Sequence, residues 1–138
     1  MDPDFSSCLV LNTRMAARAV TRRYDGLLRP HGVTAAQFAL LGGLKRGGGR
    51  MVSEISARNG LDRTSLTRNL DRLERIGLIA SRPAEKGNGR LCALTAEGEA
   101  LVGRLVPIWV AAQAEMRKEL STEGFSATLE VLRRLSHV

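Results

Sequence analysis

Cysteine, histidine and aromatic residues are scarce in this chain, and each shortage removes a class of chemistry. Two cysteines, Cys8 and Cys92, build no disulfide framework. With two histidines and no Cys-x-x-Cys pair, no ligand set stands at the spacing a zinc site needs. Glycines cluster at Gly42-Gly43 and Gly47-Gly48-Gly49 but lack the Gly-Lys-Ser/Thr that cradles phosphate. No paired carboxylates and no Ser/His/acid set stand out, so neither an enzyme nor a cofactor is expected. No run approaches the roughly 20 apolar residues that span a bilayer. The opening Met1-Asp-Pro-Asp carries acid where a secretory leader carries base. The expectation is a soluble, cytoplasmic protein with no membrane partner.

What the chain does have is positive charge in one place. The net charge is +7 over 138 residues. Residues 45–90 hold 11 basic and 5 acidic side chains, against 5 and 3 in residues 1–44 and 5 and 6 in residues 91–138. Of the 21 basic residues 18 are Arg, whose planar fork suits bidentate contacts with phosphate and guanine. A basic composition would explain the total, not its concentration. A hydrophobic content of 43% at this length supports one domain, residues 1–138, with a core of its own.

Leu9, Ala16, Val20, Tyr24 and Leu27 recur at helical spacing and predict a helix over Ser6–Arg29, ended by Pro30-His31-Gly32. Thr34-Ala-Ala-Gln37 is a capping-box sequence; the helix behind it turns Phe38, Leu41 and Leu44 inward and stops at Gly47-Gly48-Gly49. Arg50–Val52 reads as extended, with Ser53 capping a short helix. After Gly60, Asp62 caps a longer helix that ends at Gly77, with Leu66, Leu70 and Leu73 on one face. Thr64, Arg68, Arg72 and Arg75 lie opposite, with Ser65 and Asn69 on the flank. Leu78–Pro83 pairs with Arg90–Leu94 through a two-residue Asn88-Gly89 turn. Thr95 caps a long helix with Pro107 inside it, where a kink is expected. Ser121 opens a last helix carrying Phe125, Leu129, Leu132 and Leu135.

Two helices joined by a tight Gly-containing turn, the second studded with Arg, are the arrangement that puts a helix into the DNA major groove. The fold expected is mostly α with a small β-hairpin wing: a winged helix-turn-helix over residues 34–95, flanked by long helices at 5–30 and 96–138. Those outer helices are too apolar to be satisfied by the small central lobe. A symmetric dimer covers them and sets two recognition helices about one DNA turn apart. The partners expected are double-stranded DNA and a second copy of the chain. The alternative is a winged fold used to bind protein without sequence-specific DNA contact.

Several pieces together resemble the MarR family of bacterial transcriptional regulators over nearly the whole chain. They are the Arg-rich first helix, Val33-Thr34-x-x-Gln37-Phe38-x-Leu40-Leu41, Thr67-Arg68-x-x-Asp71-x-Leu73-Glu74-x-x-Gly77-Leu78-Ile79-x-x-Arg82, and Leu94-Thr95-x-x-Gly98. The resemblance implies a helical homodimer that binds a palindromic operator, usually as a repressor. The family wing commonly carries Asp-x-Arg; counted back from Leu94-Thr95, those places hold Lys86 and Asn88, and Arg90 is the nearest guanidinium.

Arg68 and Arg72 are the candidates for contact in the major groove, with Arg63, Thr64, Ser65 and Thr67 suited to phosphate at the helix start. Asn69 is suited to adenine; Lys86, Asn88 and Arg90 carry the wing. The plainer reading of the same helix is a solvated face with an Asp71–Arg75 pair. Family members often bind small aromatic acids, and Arg14, Arg18, His31, Phe38 and Trp109 are the candidates for such a pocket, against ordinary core and surface roles. Some members sense peroxide through a cysteine near the start of the first helix, where this chain has Cys8; a packed thiol is the alternative. Cys92 reads as packing.

Overall fold

The computed structural model describes residues 2–44 and 49–137. Gly47 and Gly48, two of the glycines expected to stop the second helix, lie outside the described residues. The chain divides into two compact units, Met1–Gly103 and Arg104–Val138.

The first unit opens with a single 3₁₀ turn, Phe5–Ser7, in which the Asp4 carboxylate accepts the Ser6 N–H at 2.9 Å. Helix α1 therefore starts at Leu9, not Ser6, and runs to Leu28. Gly32, at φ 88°, ends the 3₁₀ turn that follows. Helix α2 (Ala35–Leu44) begins on the expected capping box: the Thr34 hydroxyl accepts the Gln37 N–H at 3.2 Å, and the Gln37 side chain accepts the Thr34 N–H at 3.0 Å. Asp25 of α1 adds a third tie by accepting the Ala35 N–H at 2.7 Å. The inward face of α2 is Leu40, Leu41 and Leu44; Phe38 is only half-buried, which corrects its expected place in the core.

Strand β1 (Arg50–Met51) leads into α3 (Val52–Asn59), whose N-cap is Met51 with no side-chain cap bond; the Ser53 cap does not form. Gly60, at φ 61°, turns the chain from α3 towards α4 (Arg63–Arg75). Asp62 caps α4 as expected, accepting the Ser65 N–H at 2.7 Å and its hydroxyl at 3.1 Å. Leu66, Leu70 and Leu73 are fully buried. The helix ends in a Schellman motif: Leu78 N–H bonds the Leu73 carbonyl at 2.9 Å, Gly77 N–H bonds Glu74 at 3.0 Å, and Gly77 sits at φ 82°.

Strands β2 (Ile79–Pro83) and β3 (Arg90–Leu94) form the wing, but the sheet has three strands in the order β1-β3-β2, all antiparallel, not the two expected. Pro83 faces Arg90, so residues 84–89 form the loop, closed by Ala84 N–H to the Gly89 carbonyl at 2.8 Å. The expected two-residue Asn88-Gly89 turn is replaced by this longer loop, with Gly87 in the left-handed region at φ 79°. Gly89 lies against the end of the Met51 side chain, which a Cβ there would push aside.

Thr95 knots the wing to helix α5 (Ala96–Leu120). Its hydroxyl donates to the Gly77 carbonyl at 2.6 Å and accepts the Gly98 N–H at 3.1 Å, and its own N–H reaches the Leu78 carbonyl at 3.1 Å. Helix α5 continues through Pro107, which removes the N–H that would bond the carbonyl of Gly103, where the first unit ends. In the second unit, Ser121 accepts the Gly124 N–H at 3.1 Å to cap α6 (Thr122–Leu135). Phe125 is buried beneath the Arg117 guanidinium, 4.6 Å from its ring centroid.

Candidate nucleic-acid interface

Helix α4 is two-faced for a plain reason. Leucines at i, i+4 and i+7 bury completely, so the residues between them must face outward. Arg63, Thr64, Thr67, Arg68 and Arg72 are all exposed. A shallow groove of about 480 Å³ runs along this face and is lined by Arg63, Thr64, Thr67, Arg68 and Asp71. A second groove, about 530 Å³, lies where α3, the start of α4 and the wing converge; Arg63, Thr67, Asn88 and Arg90 line it. Ser53 and Ser56 line it too. The sequence reading missed both as interface hydroxyls, although their i,i+3 spacing at the start of a short helix puts them on one face.

Two flank residues are partly engaged. Ser65 is half-buried and holds the Asp62 cap, which keeps the Asp62 carboxyl below its usual range, chiefly through the Ser65 N–H. Asn69 is half-buried, and its side-chain N–H donates to the Ser65 carbonyl at 2.8 Å. One of its donors is thus committed within the helix, leaving its oxygen and its second hydrogen.

In the wing, Lys86 and Asn88 are exposed on the 84–89 loop. Arg90 is not free. Its guanidinium lies 3.0 Å from the Asp71 carboxylate and 2.7 Å from that of Glu74, so Asp71 pairs with Arg90, whereas the plainer reading of the helix paired it with Arg75. The other Glu74 oxygen accepts the Ser81 hydroxyl at 2.7 Å and its N–H at 3.2 Å. The Ser81 hydroxyl above all, helped by Arg90 and the Ser81 N–H, holds the Glu74 carboxyl below its ordinary range against the opposing effect of burial.

Of the ligand candidates, Arg18 lines a groove on the first unit. This groove, about 600 Å³ along α1, is also lined by Arg22, Asp25 and Arg29, and by none of Arg14, His31 or Phe38. Trp109 belongs to the second unit. Cys8 is half-buried at the start of α1 and makes no side-chain capping bond. Cys92 is buried in β3, between Arg50 of β1 and Ser81 of β2, and burial pushes its thiol up. It stays a protonated, packed side chain.

An amphipathic Arg-bearing helix behind a tight turn, with a three-stranded wing at its C-terminal end, defines a winged-helix DNA-binding protein. The MarR family model matches residues 31–90. The chain is 34% identical to the transcriptional regulator MosR of M. tuberculosis, solved in complex with DNA, with a TM-score of 0.85 over 95% of each chain. Bordetella bronchiseptica BpsR superposes with a TM-score of 0.89 at 22% identity, covering 100% of this chain and 99% of that one. A mutant of E. coli MarR complexed with operator DNA superposes at 0.82 with 24% identity, covering 97% and 99%. Among functionally curated sequences none matches the chain. The chain belongs to the MarR family and is a DNA-binding transcriptional regulator. Among its described residues, no helix is long and apolar enough to cross a membrane.

Proposed function

We propose that the protein is a cytoplasmic, homodimeric repressor that binds a palindromic operator and is released by a small aromatic acid or an oxidant. Residues 34–95 form the lobe that meets DNA, and residues 5–30 and 96–138 form the dimer lobe. Arg68 and Arg72 enter the major groove; Arg63, Thr64, Ser65 and Thr67 position the phosphates, joined by Ser53 and Ser56; Asn69 reads a base through its remaining polar atoms. Lys86 and Asn88 bring the wing to the backbone. The observation that carries this reading is helix α4, whose leucines are fully buried while its Arg and Thr residues line an open groove.

The dimer is supported by apolar surface with nothing to cover it. Leu9, Val10 and Met15 on α1 are each at least 60% exposed, and Val110, Val131 and Leu132 of the second unit are exposed as well. A two-fold interface built from these helices would bury them in both copies at once. The effector class is supported by BpsR, whose DNA binding is regulated by 6-hydroxynicotinic acid, and by Arg14, Arg18, His31, Phe38 and Trp109, which supply cationic and aromatic groups for a carboxylated ring. Cys8, half-buried beside the first turn of α1, is the site an oxidant would reach.

The test is a pair of variants. Arg68→Ala and Arg72→Ala should each lose operator affinity, by about 1–3 kcal/mol where the lost contact is a bidentate pair with guanine, while remaining folded dimers by sedimentation. Normal operator binding by both variants would overturn the assignment of α4 to the major groove.

A further inference from the structure

The geometry points to Arg90 as a positioning residue that locks the wing to the recognition helix and does not itself touch DNA. The inference rests on the DNA-binding reading of α4 and adds a role that reading does not contain. Arg90 opens β3, two residues beyond Asn88 and four beyond Lys86. From there its two terminal nitrogens reach back to two carboxylates on α4, Asp71 at 3.0 Å and Glu74 at 2.7 Å. Asp71 and Glu74 stand three residues apart, hence on one face of the helix, and present a paired acceptor that matches a forked donor. Glu74 in turn holds Ser81 on β2 through both the hydroxyl and the N–H. One guanidinium and one carboxylate thus join α4, β2 and β3.

Two consequences follow for DNA. A guanidinium already paired with two carboxylates has its positive charge offset and its two terminal nitrogens directed at α4, so it has little net charge to offer a phosphate. It also neutralises acid that would otherwise stand beside the phosphates: Asp71 lines the same groove as Arg68, and Asp71 and Glu74 are about half exposed. The wing tip carries charge to DNA through Lys86; Arg90 sets where that tip stands relative to α4.

The test uses the full chain, an operator duplex and a scrambled duplex, with four proteins: wild type, Arg90→Met, Glu74→Met and Lys86→Met. Glu74→Met breaks the lock from the helix side without removing any basic residue, and circular dichroism checks that each variant folds. The first readout is hydrogen exchange at the Ala84 amide, whose bond to Gly89 closes the wing loop. The second is the salt dependence of operator affinity. Arg90→Met and Glu74→Met should both exchange Ala84 about fivefold faster than wild type, the scale set by partly exposed ion pairs. Both should discriminate less between the two duplexes with the salt slope close to that of wild type. Lys86→Met should leave exchange unchanged and reduce the slope by about 0.9, the signature of one lost phosphate contact. The proposal is overturned if Arg90→Met behaves as Lys86→Met is expected to, or if Glu74→Met exchanges Ala84 at the wild-type rate. If wild type prefers neither duplex, the operator reading fails by itself, and the exchange arm still decides whether the lock exists.

Discussion

Replacing Gly98 by alanine tests the junction on which the wing and the recognition helix are both hung. Gly98 is a buried residue in the first turn of α5, a position where alanine would ordinarily favour the helix by up to about 1 kcal/mol. Here a Cβ would overlap the Leu78 carbonyl oxygen, far inside van der Waals contact distance, and lie 3.1 Å from the Leu78 carbonyl carbon and from Leu94 Cδ2. The obstructing atoms are backbone and cannot swing aside, and the same carbonyl accepts the Thr95 N–H. Overpacking of this kind costs about 1–3 kcal/mol, and a backbone obstacle puts the cost at the upper end. The net loss is about 2 kcal/mol, or a fall of about 8 °C in Tm for a chain of this size. Gly103→Ala is the matched control. It lies in the same helix, is exposed, and has nothing within 4 Å of where its Cβ would be, so it should raise Tm by about 4 °C. Both are read by thermal unfolding at one fixed protein concentration, because the proposed dimer would make Tm concentration-dependent. A Gly98→Ala protein as stable as wild type would refute the close approach of α5 to Leu78.

Other outcomes follow from the same contacts. Leu70→Ala, a truncation at a fully buried position, should cost about 2–5 kcal/mol in denaturant unfolding, and a loss below about 1 kcal/mol would contradict the packing of α4. A thiol reagent at neutral pH should titrate one cysteine, Cys8, in the folded protein and two after denaturation, because burial raises the Cys92 pKa; fast reaction of both in the native state would contradict this. Glu74 has a depressed pKa, so its contribution to stability is present above the ordinary carboxylate range and is lost as pH falls through it towards the lower folded value. Glu74→Gln should therefore flatten the acid limb of the stability profile and leave the limb above neutrality unchanged; an identical acid limb in both proteins would contradict the depressed pKa.

Elements set by local chemistry could be read from the sequence. The Thr34/Gln37 box, the Asp62 cap and the leucine face of α4 depend on residues at most a few turns apart, and each stands in the structure as its spacing required. The misreadings lie where the deciding contact is remote. Arg50 and Met51 are extended as their sequence suggested, but that they make a third strand depends on pairing with Cys92 and Leu91, about 40 residues on. Asn88-Gly89 has the composition of a tight turn, yet the register pairs Pro83 with Arg90, and Gly89 lies against the Met51 side chain. Phe38 gives way to Leu40 in the core. The Arg90 lock joins residues 16 and 19 positions apart, beyond any helical or strand period. The exposed face of α4 was legible because the buried face was; which of its residues meet a base is written in the partner, not in the chain.

The central claim is that this chain recognises a particular DNA sequence. The most direct measurement is fluorescence anisotropy of the reduced protein with a duplex taken from upstream of its own gene and with a scrambled duplex, across a salt series. The account predicts tighter binding to the native duplex and a log–log salt slope of several units, about 0.9 for each phosphate contacted. Equal and weak binding to both duplexes, with a slope near zero, would contradict it.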